Sequence, residues 1–472
     1  MSEQYVYEYK DINVSGYDFE KIIELKILRE INEHAKLKIR GIISEENEDK
    51  YVEEANDKSF INISVNDNEN NIKNLFQGIV TDISIDTQNN VRILEIEALS
   101  RTYLMDIKKM VRTFQDENYT YMDVINILNN ENGNVLAMDN ITDDKKIDKL
   151  IVQYKETDWE LIKRLASHFN AGLIPECQLD GTKYIIGMRK DGISYSLDEF
   201  NYSIKKSIHE YKEKYENGIE TLNDMNLISY EITTNKMLNL CEAVNFNGKN
   251  LYVYKAIIEI CDSEFINKYV LRDEKGMKIQ KRYNDKLIGL SLKGNILDTK
   301  NDVVKIKLDI DSSQNKDTAK WFPYSTVYSS EDGTGWYCMP EVGDAIRLYF
   351  PDNEEKNAYA ISSVNLKSSN SQKRSDPSVK NIGTKYGKQL VMKPGAVEII
   401  GGNNLLMRMT DDGGIEIKSD KKIILDAQDD IEIKGKAKVS IKGDEGVDLT
   451  QNSANLAIKD DVKMTGGKVK IE

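Results

Sequence analysis

The sequence predicts a mainly β protein with a few helices: two barrel-like domains, then an OB-fold barrel, then a C-terminal β-helix intertwined from three chains. Three observations carry that prediction. Apolar residues one position apart recur as pairs every eight residues from Met407 to Leu449. Short alternating segments fill residues 1–110 and return from about Leu290. Helical spacing is confined to short stretches, around Met122 and after Thr157.

The pairs are Met407 and Met409, Ile415 and Ile417, Ile423 and Leu425, Ile431 and Ile433, Val439 and Ile441, and Val447 and Leu449. Fixed-period self-similarity marks a repeat architecture. Alternation within each pair, as in Ile431-Glu432-Ile433, is strand period. Asp411, Ser419, Ala427, Gly435, Gly443 and Gln451 fall four residues after each first member, where a tight turn belongs. Two core residues per octad bury little apolar surface against the cost of ordering eight, and short strands leave open edges. Copies of the same chain would close those edges, so the octads predict a homotrimeric, intertwined β-helix with these twelve side chains at its core. A β-meander or a solvated tail is the competing reading; unbroken register over six octads weighs against it.

Length and composition bound the rest. At 472 residues the chain has room for three or four domains. A net charge of −14, with no basic stripe, argues against a nucleic-acid binder. The polar, acidic start, Met1-Ser2-Glu3-Gln4, is unlike a secretory signal peptide, and no apolar run nears the roughly 20 residues of a membrane span. Synthesis and folding in the cytoplasm are therefore expected, with any export by a route other than general secretion. Cys177, Cys241, Cys261 and Cys338 are scattered, without CxxC or zinc spacing, and read as reduced thiols.

In chain order, Ile22–Leu28, Ala35–Ile39, Phe60–Val65, Leu75–Ile85 and Ile93–Ile96 alternate and predict a barrel or sandwich over 1–110. Met122, Ile125 and Leu128 share a helical face, preceded by Thr120. Thr157-Asp158-Trp159-Glu160 is a capping box. Leu161, Ile162, Leu165, Ala166 and Phe169 follow it as one apolar face, and Asn170 and Gly172 supply the stop. Ile258–Tyr269 fits a short helix or a strand with a turn. Lys293–Leu308 reads as a hairpin turning at Asn301-Asp302. With Trp321–Tyr324 and Ala345–Phe350 it makes a small OB-like barrel. A Ser- and Asn-rich linker over 366–386 cannot bury a core. The working division is 1–110, 111–275, 276–365, the linker 366–386 and 387–472. After Leu449 the register drifts through Leu456, Ile458, Val462 and Met464 to Val469 and Ile471.

This order of segments resembles the valine-glycine repeat protein G (VgrG) family, the spikes of type VI secretion and related contractile, phage-tail-like systems. Leu75–Val80 is similar to the family's hub strand. Arg112–Gln115 with Tyr119 and Val124–Leu128 resembles its first hub helix region. Gln153–Trp159 with Arg164-Leu165 resembles the second. Pro340-Glu341-Val342-Gly343-Asp344, before Ala345–Phe350, resembles the end of its OB domain. Lys385–Lys388 and Asp411–Ile415 look like the start of its needle. The resemblance implies a homotrimer whose two N-terminal hub domains, 1–110 and 111–275, sit on the tail tube and baseplate, with an OB collar and a needle that pierces a target membrane or cell wall. It also implies a cargo of effectors or a separate tip protein, on a particle of phage, bacteriocin-like or secretion type.

Two departures shape the expectations. The linker is too short for the muramidase that some phage spikes insert there. No histidine occurs beyond His209, so the needle lacks the iron-binding His-x-His tip of some relatives. A blunt end closed by a separate tip protein of the proline-alanine-alanine-arginine (PAAR) kind is expected, with Gly466, Gly467, Val469, Ile471 and Glu472 as its contacts. No catalytic constellation, metal site or cofactor motif stands out, and an enzyme is not expected. Acidic pairs such as Asp116 with Glu117 are common in so acidic a chain. His168 reads as structural, and Trp159, Trp321 and Trp336 as core anchors. Gly401-Gly402 and Gly413-Gly414 read as turn glycines, because no Gly-Lys-Ser/Thr follows. The alternatives are a peptidoglycan hydrolase with an unrecognised site and a β-helical surface adhesin.

Overall fold

The structure is a computed structural model. It describes residue 7 and residues 9–458, except 48, 67–70, 134, 148–149, 190–193, 262–263, 363–364, 366–370 and 403. The chain divides into two compact units, Met1–Asn365 and Leu366–Glu472.

The first unit is built on one twelve-stranded sheet. Six of its strands lie in the first hundred residues: β1 (Ile12–Ser15), β2 (Lys21–Glu30), β3 (Glu33–Ile43), β4 (Phe60–Asn66), β5 (Ile72–Gln88) and β6 (Val91–Ser100). Alternation puts Leu25, Ile27, Leu37, Ile39, Ile61, Ile63, Leu94 and Ile96 into a common core. The spatial order is β1-β4-β5-β6-β3-β2. A barrel would need β2 to pair with β1. Instead β2 pairs antiparallel with Lys249–Cys261, with Ile27 opposite Ile258. The sheet then runs on through Glu264–Arg272 and Ile228–Thr234 to Tyr202–Lys206. The barrel expectation is therefore corrected to an open sheet, because a more distant strand takes the edge that closure requires. Of Ile258–Tyr269, ambiguous in sequence, the described residues 258–261 and 264–269 belong to two long antiparallel strands.

Among the described residues of this unit there are four α-helices: α1 (Lys50–Glu54), α2 (Tyr121–Glu131), α3 (Asp158–Ser167) and α4 (Ile208–Glu216). The expected caps form on α2 and α3. Thr157 Oγ1 accepts from Glu160 N at 3.1 Å, and Glu160 Oε2 accepts from Thr157 N at 2.9 Å. Thr120 and Asp123 do the same for α2. Trp159, fully buried, anchors the core between α2, α3 and Tyr184. α4 has no apolar stripe to announce it; its buried residue is Lys214.

A five-stranded antiparallel sheet follows: Trp321–Pro323, Val303–Leu308, Ser291–Lys300, Ala345–Tyr349 and Tyr359–Ile361, in spatial order. The expected hairpin turns at Asn301, whose φ of 49° suits asparagine. Among the described residues the two edges meet at a single bridge, Tyr324 with Ala360, and no ladder joins them, so this sheet too stays open. Leu150 and Val152 are packed into its core from outside it. Trp336 corrects the core-anchor reading: it is 46 % exposed, on the long connection before Ala345.

The second unit opens with a five-stranded antiparallel meander of Lys380–Gly383, Gln389–Lys393, Ala396–Gly402, Leu405–Thr410 and Gly414–Lys418. Residues 419–446 form no strand, and Val447–Gln451 pairs with Ala454–Ile458 as a hairpin.

Candidate functional site: an open apolar face and a charged junction

Directly opposed residues in a sheet share a face. In the meander, Val397 lies opposite Met409 and Ile399 opposite Met407. Met407 in turn faces Ile417, and Met409 faces Ile415. Leu390 and Met392 extend the same row on the preceding strand. One face of the meander is thus continuously apolar, and it is open: Ile399, Met407, Met409, Ile415 and Ile417 are 40–72 % exposed.

The opposite face is the charged one. Glu398, Arg408 and Glu416 are neighbours across three strands. Lys393 Nζ lies 2.9 Å and Arg408 Nε 2.7 Å from Glu398 Oε1. The Lys393 ammonium, ahead of Arg408, holds the Glu398 carboxyl below its usual range. This inverts the usual arrangement, in which a sheet hides its apolar face and wets its charged one. Large exposed apolar patches mark interaction surfaces.

The other sequence-selected core residues are also exposed. Ile423, Leu425, Ile431, Ile433, Val439 and Ile441 lie in the strandless stretch at 48–70 % exposure. Val447 and Leu449 lie on a strand, Val447 half-buried and Leu449 exposed. Gly466, Gly467, Val469, Ile471 and Glu472 lie outside the described residues. Val397 and Ile399, which sequence phase left out of the octads, belong to the face. A register shift at Ile400/Gly402 and two extra residues hide this in the sequence. The signal that could have found them is the Gly401-Gly402 pair, a common mark of a bulge.

The first unit holds a buried junction of charge. Arg164, on α3, donates from Nε and Nη2 to Glu156 at 2.9 and 3.0 Å, from Nη2 to Val152 O at 2.9 Å, and from Nη1 to Glu355 at 2.7 Å. Glu355 belongs to the OB region, so this fork ties α3 to it. The two carboxylates hold the guanidinium firmly protonated against its burial. Arg112 makes a second fork, to Gln153 at 2.7 Å, Asp158 at 2.9 Å and Glu131. Thr113 N donates to Asp311 at 2.8 Å. His168 Nδ1 lies 2.9 Å from the Tyr121 hydroxyl. Burial, aided by the Arg164, Lys281 and Lys145 charges, pushes His168 down to about 3. Cys177, Cys241 and Cys338 are free thiols. Among the described residues no group of three His, Cys, Asp or Glu is placed to hold a metal ion, and no helix is long and apolar enough to cross a membrane.

Comparison with known proteins gives the class first. Residues 294–364 match the family described as the type VI secretion system/phage-baseplate injector OB domain. The fold of the chain is that of VgrG-type spike proteins. The E. coli c3393 protein is described as a component of the type VI secretion system with structural similarity to the T4 bacteriophage tail proteins gp27 and gp5. It superposes with a TM-score of 0.52 at 10% identity, covering 74% of this chain and 98% of its own. A chain of the lidless PdpA-VgrG complex gives 0.56 at 11% identity, covering 86% and 98%. The half-lidded Francisella complex gives 0.54 at 11% identity, covering 86% and 88%. No curated protein matches in sequence.

Proposed function

We propose that the chain is the structural hub and spike of a contractile injection machine, acting as a homotrimer. The carrying observation is the open apolar face of the meander, continued by the exposed octads, in a chain that also holds an injector-type OB domain. Three copies facing one another would bury those rows and supply the backbone partners that residues 419–446 lack within one chain. The large first unit would dock on tube and baseplate. The C-terminal needle would be driven into the target membrane or cell wall, closed by a PAAR-like tip protein seated on Gly466 to Glu472. The structurally similar PdpA-VgrG complex joins a VgrG to another protein, which favours effectors or tip proteins as partners here. Assembly would take place in the cytoplasm, and the trimer would leave the cell with the particle.

The test is the mass of the full chain in solution by light scattering. A trimer of three times 54.0 kDa is expected; a stable monomer at micromolar concentration refutes the shared core. A pointed, metal-bound apex made by this chain alone would refute the separate tip. A non-enzymatic role predicts a blank cell-wall zymogram, and a lytic band from the pure chain would restore the hydrolase reading.

A further inference from the structure

A cleft of about 170 Å³ opens in the first unit where α3, the loop at Lys145, residues 281–283 and the turn at Glu354–Lys356 converge. That is several times the roughly 30 Å³ share of one water. Five cations line it: Lys145, Arg164, Lys281, Arg282 and Lys356. Two of them are matched at once. Arg164 is held by Glu156 and Glu355, and Lys356 lies 2.6 Å from Glu354. The other three make no ion pair with a carboxylate among the described residues. Lys145 Nζ instead lies 5.5 Å from the Phe169 ring centroid, and Lys281 Nζ 4.8 Å from that of Tyr283.

Counting ion-pair partners alone, Glu156, Glu354 and Glu355 oppose five cations, an excess of two positive charges in a chain of net charge −14; Asp352 acts on Lys356 from farther off. The C-terminal end of α3 contributes only about half a negative charge. Like charges gathered in a concave, partly dry site concentrate a field that attracts a counter-ion. His168 lines the same wall, tethered to Tyr121 and facing the charges of Lys145, Lys281 and Arg164.

We propose that this cleft binds a multivalent oxyanion, a phosphate group or a polycarboxylate, through Lys145, Lys281 and Arg282. Filled, the cleft joins the loop at Lys145 to residues 281–282 through a shared anion, beside the Arg164–Glu355 bond. All of the residues that line the cleft belong to the first unit.

The full chain is titrated by calorimetry with inorganic phosphate and, separately, with citrate, each at ionic strength matched with sodium chloride. Saturable binding of one anion per chain is expected. Saturation by phosphate alone identifies a phosphate ligand, and saturation by citrate alone a polycarboxylate. The chain has three histidines, His34, His168 and His209, so labelled-histidine NMR reads His168 directly. Its titration moves up by at least one pH unit when the anion is bound. Combining Lys145→Ala with Lys281→Ala weakens binding at least tenfold and leaves the melting midpoint in chloride unchanged. Should that variant misfold, Arg282→Gln is measured in its place. Heats that do not saturate, a His168 titration that ignores the anion, or variants that bind like the parent would overturn the proposal.

Discussion

Arg164 Nη1 and Glu355 Oε1 stand 2.7 Å apart across 191 residues of sequence, one on α3 and the other on a turn of the OB region. Arg164 is 3 % exposed at its side chain and Glu355 13 %. With Glu156 the pair forms a buried three-member network whose guanidinium hydrogens are directed at named acceptors.

Arg164→Ala should destabilise the first unit by about 3–5 kcal/mol, because it leaves two carboxylates without their cation. Urea denaturation followed by the fluorescence of Trp159, Trp321 and Trp336, all in the first unit, reads the change. Arg164→Lys should recover only part of the loss, since an ammonium cannot make the planar fork. Equal midpoints for Arg164→Ala and the parent would show that the network is not needed.

Thr157→Ala removes the cap of α3 and also a partner of Asp106. A loss of about 1–2 kcal/mol is expected, toward the upper end for caps. Thr120→Ala removes the equivalent cap from α2, where the hydrogen bonds are exposed, and should cost about 1 kcal/mol or less. The two denaturation midpoints, measured side by side, check that order.

His168 sets an acid limit. In the fold it protonates only near pH 3, against 6.5 ordinarily. The unfolded chain therefore binds a proton that the folded chain refuses as pH falls below 6.5. Stability from this group is complete above pH 6.5 and declines toward pH 3. At pH 5 the loss is about 2 kcal/mol, from 1.36 kcal/mol per unit. His168→Gln should flatten that part of the stability–pH profile. An unchanged slope between pH 6.5 and 4 would contradict the assignment.

Ile433→Asp tests the shared core. In a trimer it places three carboxylates at one level of the axis, and buried unpaired charge is strongly penalised. The expected mass falls from three chains to one, with tryptophan fluorescence unchanged because Trp159, Trp321 and Trp336 all lie in the first unit. Retention of the trimer with unchanged thermal stability would place Ile433 on the outside.

Much of the local structure was legible in the residues. Thr157 and Glu160, three apart before an apolar face, announce a cap that forms as read. Alternation located Lys21–Glu30, Glu33–Ile43 and the hairpin at Asn301. α4 escaped because Ile208 and Tyr215 are exposed and no apolar stripe marks its period. Ile258–Tyr269 stayed ambiguous because its apolar residues, Ile258, Ile260, Phe265, Ile266 and Tyr269, keep neither period throughout. The octads gave twelve apolar positions in phase, yet the face also takes in Leu390, Met392, Val397 and Ile399, behind a bulge that phase counting cannot cross.

By itself the sequence determined what depends on near neighbours: strand alternation, caps, turns and the eight-residue period of the C-terminal unit. Only the tertiary structure decided which strand takes the free edge of β2, and so that the sheet stays open. It also decided that Leu150 and Val152 enter the OB core, and that Arg164 meets Glu355. The reason is physical. Backbone hydrogen bonds between strands are nearly blind to side-chain identity, and partners some two hundred residues apart leave no periodic trace. Such pairings are selected by the packing of the whole unit.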